Sequence, residues 1–134
     1  PSHQQQQVRT QLSFVLQGVM CQTLVPRANG RGRALALEVM IANQAIRACI
    51  RENKAHQIYS LIQTGGKHSM RTMNQSLFEL YQQGAISYDE AMARTTDPED
   101  LKRTFQRSVH GKQQAAQTQP GQRRSQRVSG NRYG

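Results

Sequence analysis

"TLVPRANGRGRALALEVMI", residues 23–41, decides the fold class. Two short apolar runs, residues 23–25 and 34–41, flank Asn29-Gly30-Arg31-Gly32, the strongest turn signal in the chain, and together they predict a β-hairpin. Pro26 has no N–H to give to a ladder, so it ends the first strand or confines it to an edge. Along the second strand side chains alternate, which puts Leu35, Leu37, Val39 and Ile41 on one face.

On both sides of the hairpin the period changes. Upstream, in "QQQQVRTQLSFVLQGVMCQTL", Val8, Leu12, Val15 and Val19 recur at helical spacing, and Phe14, Leu16 and Met20 widen the apolar surface. One long helix running through Met20 is expected, apolar on more than one side and so covered by several neighbours. Downstream, Asn43 caps "QAIRACIREN", where Ile46 and Ile50 make an apolar stripe beside a basic stripe of Arg47 and Arg51. "AHQIYSLIQTGG" follows as a brief helix with Gly65 as its stop. "SMRTMNQSLFELYQQG" places Met70, Met73, Leu77, Leu80 and Tyr81 on one face. Ser87 and Glu90 form a capping box for "YDEAMAR", and Asp97-Pro98 opens a last helix with Leu101 and Phe105 inward. The expected order is a long helix, a hairpin and five mostly short helices, the element pattern of an α/β chain.

Only 36% of the 134 residues are hydrophobic, and they thin out after Phe105. Residues 1–106 must therefore hold the core. Residues 1–101 carry 10 Lys+Arg against 8 Asp+Glu, while residues 102–134 carry 8 basic residues and no acid, so most of the formal +10 belongs to the tail. Residues 107–134, rich in Gln, Gly, Ser and Arg, have too few apolar side chains to offset the entropy of ordering and are expected to be a disordered basic tail. Such a tail suits anionic surfaces by charge alone. Specific nucleic-acid recognition is not expected, because only Tyr133 stands among its arginines for base stacking.

Cys21 and Cys49 both sit in apolar-periodic runs and read as small buried hydrophobes. His3, His68 and His110 keep no metal-ligand spacing, and no Ser-His-Asp or Cys-His set can be placed. "LIQTGGKHSMRTM", residues 61–73, has the look of a phosphate loop, but aligning Gly66-Lys67 with G-x-x-x-x-G-K-[ST] leaves Leu61 for the first glycine and His68 for the metal-binding hydroxyl. It reads instead as a join between two helices.

The blocks "GRGRALALEVMIANQAIRACIRENKAHQIYSLIQTGGKHSMRTMNQSL" and "LYQQGAIS", with "QTLVPR" before them, resemble in order and spacing the C-terminal part of the type IV pilus retraction ATPases, the twitching-motility PilT family of the secretion ATPase superfamily. The resemblance runs over residues 8–105. It implies the C-terminal portion of a RecA-like motor domain at residues 1–106, from a family whose full-length members form homo-hexamers, use ATP and Mg, and act in the cytoplasm, peripheral to the inner membrane, on the pilus assembly machinery. The family's phosphate loop, acidic boxes and histidine-containing box lie N-terminal to the match, so this chain alone is expected to be an inactive fragment without bound cofactor. On the family's retraction signature helix fall Ala45, Ile46, Arg47, Ile50, Arg51 and Glu52, whereas Ala48, Cys49 and, further on, Ser69 depart from the family pattern. His56, Gln57 and Arg27 are candidates for contacts that report nucleotide state or join subunits. A pilus extension or type II secretion ATPase segment, and a small basic nucleic-acid-binding module, are the alternatives.

Overall fold

A computed structural model describes residues 1–117. They form helix α1 (Ser2–Val15), a hairpin of β1 (Gly18–Pro26) and β2 (Arg33–Ile41), and helices α2 (Gln44–Arg51), α3 (Ile58–Gln63), α4 (Met73–Gln82), α5 (Tyr88–Arg94) and α6 (Pro98–Gln117). The strands pair antiparallel from Gly18↔Ile41 to Pro26↔Arg33. At the turn Gly30 and Gly32 take φ of 70° and 73°, a region open to glycine at no steric cost. The Asn29 side chain accepts from Arg31 N at 3.0 Å and tightens the turn further.

The first helix is shorter than its periodicity suggests. It stops at Val15 rather than running through Met20, and Leu16 is already extended at φ −67°, ψ 124°. Residues from Gly18 onward join the hairpin, because Val19, Cys21 and Thr23 are weak helix formers that gain a full ladder by pairing with β2. Gly18 permits the join: a Cβ there would stand 2.9 Å from the Met40 carbonyl oxygen. Cys21, expected to be buried, is consequently exposed on β1, whereas Cys49 is buried.

One face of the hairpin meets the core. Ala34 and Ala36 are small enough to let α4 lie close on β2, where Leu77, Ile86 and Leu101 complete a cluster with Val25. A second cluster at the other end of β2 joins Met40 and Ala42 to Ile46 of α2, Ile62 of α3 and Met70. Leu35, Leu37, Val39 and Ile41 do share a face, and it is the open one: Leu35 and Ile41 are exposed.

The expected start of α4 near Ser69 moves to Met73. Ser69 takes a left-handed φ of 59°, and Arg71 exchanges backbone hydrogen bonds with Val39 at 2.9 and 3.0 Å. Thr72 then forms a capping box with Gln75, and Glu38 of β2 accepts from Met73 N at 3.0 Å. Ser87 caps α5, and the Asp97 carboxylate accepts from Asp100 N at 3.1 Å to start α6. That helix continues through Gln117, past the boundary expected at residue 107; the expectation of disorder for residues 118–134 lies outside the described residues.

Candidate functional site

The basic stripe of α2 is built from its cap upward. Asn43 accepts from Ile46 N at 3.0 Å, which sets the helix phase so that Ile46 is fully buried, Cys49 is buried and Ile50 is half-buried. Arg47 and Arg51 are thereby turned toward α1. The Arg47 guanidinium donates to the carbonyls of Ser13 and Phe14, the latter at 2.9 Å, and to Gln17 Oε1 at 3.4 Å. These carbonyls end α1 and lack intrahelical partners, so a cation placed there stabilises them by hydrogen bonding and by the helix dipole. Arg47 is a clamp between two helices.

Arg51 is different. Its own carbonyl accepts from Gln6 Nε2 at 3.2 Å, but its half-buried guanidinium has no hydrogen-bond or ion-pair partner among the described residues. With Phe14, Gln44, Arg47 and Ala48 it lines a groove of about 440 Å³. Glu52 forms its ion pair with Lys54 at 2.7 Å; the hydrogen bond and charge of Lys54, and to a lesser degree the charge of Arg51, lower the Glu52 carboxyl. Ala45 is exposed on the same helix.

The other three candidates lie elsewhere. His56 and Gln57 are exposed on a 3₁₀ turn, Ala55–Gln57, that follows α2. Arg27 closes the hairpin turn, its Nε donating to the Arg33 carbonyl at 3.3 Å. Among the described residues no hydrogen bond or ion pair links Arg27 to His56 or Gln57.

Of the glycines at residues 65–66, Gly65 has a packing role, while a Cβ on Gly66 would meet nothing within 4 Å. Gly65 is not left-handed; a Cβ on it would stand 2.2 Å from Met70 Cε and 2.7 Å from the Leu61 carbonyl oxygen. The amides of Gly65, His68, Ser69 and Met70 all donate to carbonyls within the segment, at 2.9–3.2 Å. They are turned inward onto the chain itself, away from any anion.

A polar knot escapes the apolar periodicity altogether. Asp100, buried at 7% exposure, accepts from Asn74 Nδ2 at 2.9 Å, Tyr59 Oη at 3.0 Å and Gln63 Nε2 at 3.3 Å. Asn74 Oδ1 accepts in turn from Thr95 Oγ1 at 2.6 Å, so α3, α4 and the start of α6 are tied at one point. Burial alone would raise the Asp100 carboxyl, but the bonds from Asn74, Tyr59 and Gln63 and the charge of Arg103 hold it below its ordinary value. Burial, then the bond to Asp100, push the Tyr59 phenol up to about 12. Asp97-Pro98 was the one sequence signal near this knot.

Phe105 from α6 inserts between Phe78, Tyr81 and Tyr88, with ring centroids 4.9–5.3 Å away, beside a cleft of about 640 Å³. Among the described residues no three His, Cys, Asp or Glu side chains could hold a metal ion. No helix among them is long and apolar enough to cross a membrane.

No protein-family model matches the chain. It is 42% identical over 101 residues to a twitching motility protein of Neisseria gonorrhoeae, a match covering 75% of this chain and 27% of that protein. It is 43% identical over 101 residues to the type IV pilus retraction ATPase PilT of Pseudomonas aeruginosa, covering 75% and 29%. A crystal structure of the pilus retraction motor PilT with bound ADP superposes with a TM-score of 0.67 at 50% identity, over 77% of this chain and 28% of that one. The chain is homologous to twitching motility and pilus retraction ATPase proteins and spans somewhat over a quarter of their length.

Proposed function

We propose, with that homology as the premise, that the chain is a segment of a type IV pilus retraction ATPase and supplies the helix through which the motor engages its load. The observation that carries this is the agreement of sequence and fold together, 50% identity at a TM-score of 0.67, with an ADP-bound retraction motor. On this reading the motor is a RecA-like homo-hexamer, cytoplasmic and peripheral to the inner membrane, and ATP and Mg are held by residues outside this chain. The loop at residues 65–70 supports that division of labour, since the amides of Gly65, His68, Ser69 and Met70 donate within their own segment.

Within α2 the roles divide by what each side chain touches. Ile46 and Ile50 hold the helix to the core, and Arg47 locks it to α1. The Arg51 guanidinium makes no hydrogen bond or ion pair among the described residues and feels Glu52 only through space, so it is the group suited to an acidic surface on a partner or neighbouring subunit. His56 and Gln57, exposed just beyond α2, are positioned to extend that contact.

The test is a graft. Residues 8–105 replace the matching segment of the Pseudomonas aeruginosa retraction ATPase, and ATP turnover and twitching are measured with Arg51 and with Arg51→Ala. Restored twitching is expected with Arg51. Arg51→Ala should keep ATP turnover within about three-fold, since an exposed charge contributes about 0–1 kcal/mol, while twitching is lost. Equal loss of both activities in a well-folded assembly would show that Arg51 serves the catalytic cycle. A folded graft with neither activity would remove the functional assignment.

A further inference from the structure

Charge is polarised along α6. Its first turn holds Glu99 and Asp100, and residues 102–134 carry 8 basic residues and no acid. Leu101 is fully buried and Phe105 sits among Phe78, Tyr81 and Tyr88, so the helix turns residues 103 and 107, one turn apart, away from the core. Both are exposed arginines. Lys102 pairs with Glu99 at 3.0 Å, whereas the guanidinium groups of Arg103 and Arg107 make no hydrogen bond or ion pair among the described residues, and Arg103 feels Asp100 only through space. No acid follows on the helix to answer them.

The sequence beyond Phe105 offers little to pack with. α6 runs on to Gln117 through QRSVHGKQQAAQ, where Val109 is the one large apolar residue, so this part of the helix has no apolar stripe to bury. Lys112, Arg123, Arg124, Arg127 and Arg132 continue the run of cations. Arg107 and all that follows it lie outside residues 8–105, over which the chain resembles the retraction ATPases, so that resemblance assigns them nothing.

Cations spread along a polar stretch suit an extended anionic surface, where each contributes by charge and none needs a fixed geometry. Single-stranded nucleic acid asks in addition for exposed rings on which bases stack, and beyond the enclosed Phe105 the only ring of this kind is Tyr133. We propose that the outward face of α6, with Arg103 and Arg107, and the basic residues that follow it up to Arg132 hold the chain on an acidic membrane surface through the phosphates of anionic lipids. The proposal rests on the functional reading above, which puts the chain beside the inner membrane and so favours lipid over nucleic acid. Insertion is not part of it: an interfacial helix sinks Trp, Phe or Leu into the bilayer, and α6 spends Leu101 and Phe105 on the protein core. The contact is therefore purely electrostatic.

The test is sedimentation of the full 134-residue chain with vesicles of phosphatidylcholine alone and of phosphatidylcholine mixed with phosphatidylglycerol. Binding is expected only to the mixed vesicles, and it should vanish at about 1 M salt, where the screening length falls to about 3 Å. Arg103→Gln with Arg107→Gln should weaken it at least about 10-fold, and replacing Arg123, Arg124, Arg127 and Arg132 by Gln should weaken it at least as much. Arg31→Gln with Arg33→Gln removes the same charge from the exposed hairpin turn and should change binding by no more than about two-fold. Melting of each variant checks its fold, and Arg107→Gln alone, further from Asp100, keeps the test open if the pair unfolds. Binding to neutral vesicles, binding that survives 1 M salt, equal loss in the hairpin control, indifference to Arg103 and Arg107, or tighter binding to duplex DNA at the same salt would each overturn the proposal. Vesicle binding by a chain whose graft neither turns over ATP nor twitches would sink the functional reading and leave the lipid contact standing. A working graft whose chain ignores the vesicles would do the reverse.

Discussion

The two faces of the hairpin are finished differently. Toward α4, Val25, Ala36, Leu77, Ile86 and Leu101 are 0–2% exposed, and a buried carboxylate nearby is fully supplied with donors. On the opposite face Met20 and Leu24 are more than half exposed, although that face is no less apolar. Near-continuous apolar runs are the pattern of strands buried on both sides. The difference teaches that β1 and β2 are written for two-sided burial while the described residues cover one side, and that side only in part, since Val19 and Cys21 on it stay exposed.

The largest effect should come from the closed face. Leu77→Ala leaves a cavity under β2 and should lower stability by about 2–5 kcal/mol in urea unfolding. A loss under about 1 kcal/mol would mean that the two faces are packed alike.

Next comes the polar knot, and its effect depends on pH. Asn74→Ala removes one donor from Asp100 and should cost about 1–3 kcal/mol near neutrality. Because the Asp100 carboxyl is held below its ordinary value in the folded chain, its stabilisation is fully present above the unfolded-state pKa of about 4 and is lost as pH falls through the lower folded value. Unfolding free energies followed down the acid limb should therefore drop less steeply in Asn74→Ala than in the parent.

A smaller effect separates the two arginines of α2. Arg47→Ala frees the last carbonyls of α1 and should cost about 1 kcal/mol, seen as faster hydrogen exchange across α1. Arg51→Ala should stay within about 0.5 kcal/mol. Equal sensitivity would place Arg51 in the same clamp.

The smallest effect is expected on the open face. Leu35→Ser should change the stability of the separate chain by no more than about 0.5 kcal/mol and should reduce its self-association, read by light scattering. A loss matching that of Leu77→Ala would show that something already covers this face.

Much of this was legible residue by residue. The Asn-Gly-Arg-Gly turn, the Asn43 and Ser87 caps and the Asp97-Pro98 start are local signals, and each is found where its hydrogen bond is formed. The Thr72–Gln75 capping box carried the same kind of signal in "TMNQ" and stood three residues beyond the expected helix start. Residues 16–22 misled because Val15 and Val19 fit a helical period as well as an alternating one. The clamp of Arg47 on α1 and the Asp100 knot have no period at all.

What the sequence by itself determined is the hairpin, the helices after it, the buried stripe of Ile46 and Ile50, and the kinship carried by "AIRACIRE" and its neighbouring blocks, because turn chemistry, capping and periodicity act over a few residues. The tertiary structure alone decided where α1 gives way to β1, which hairpin face is covered, and that Arg47 is engaged while Arg51 is not. Those outcomes depend on partners 30 to 34 positions away in the chain for Arg47, and 26 to 41 for Asp100. No local preference encodes such distances. They are set by which groups can be satisfied at once when the chain closes on itself.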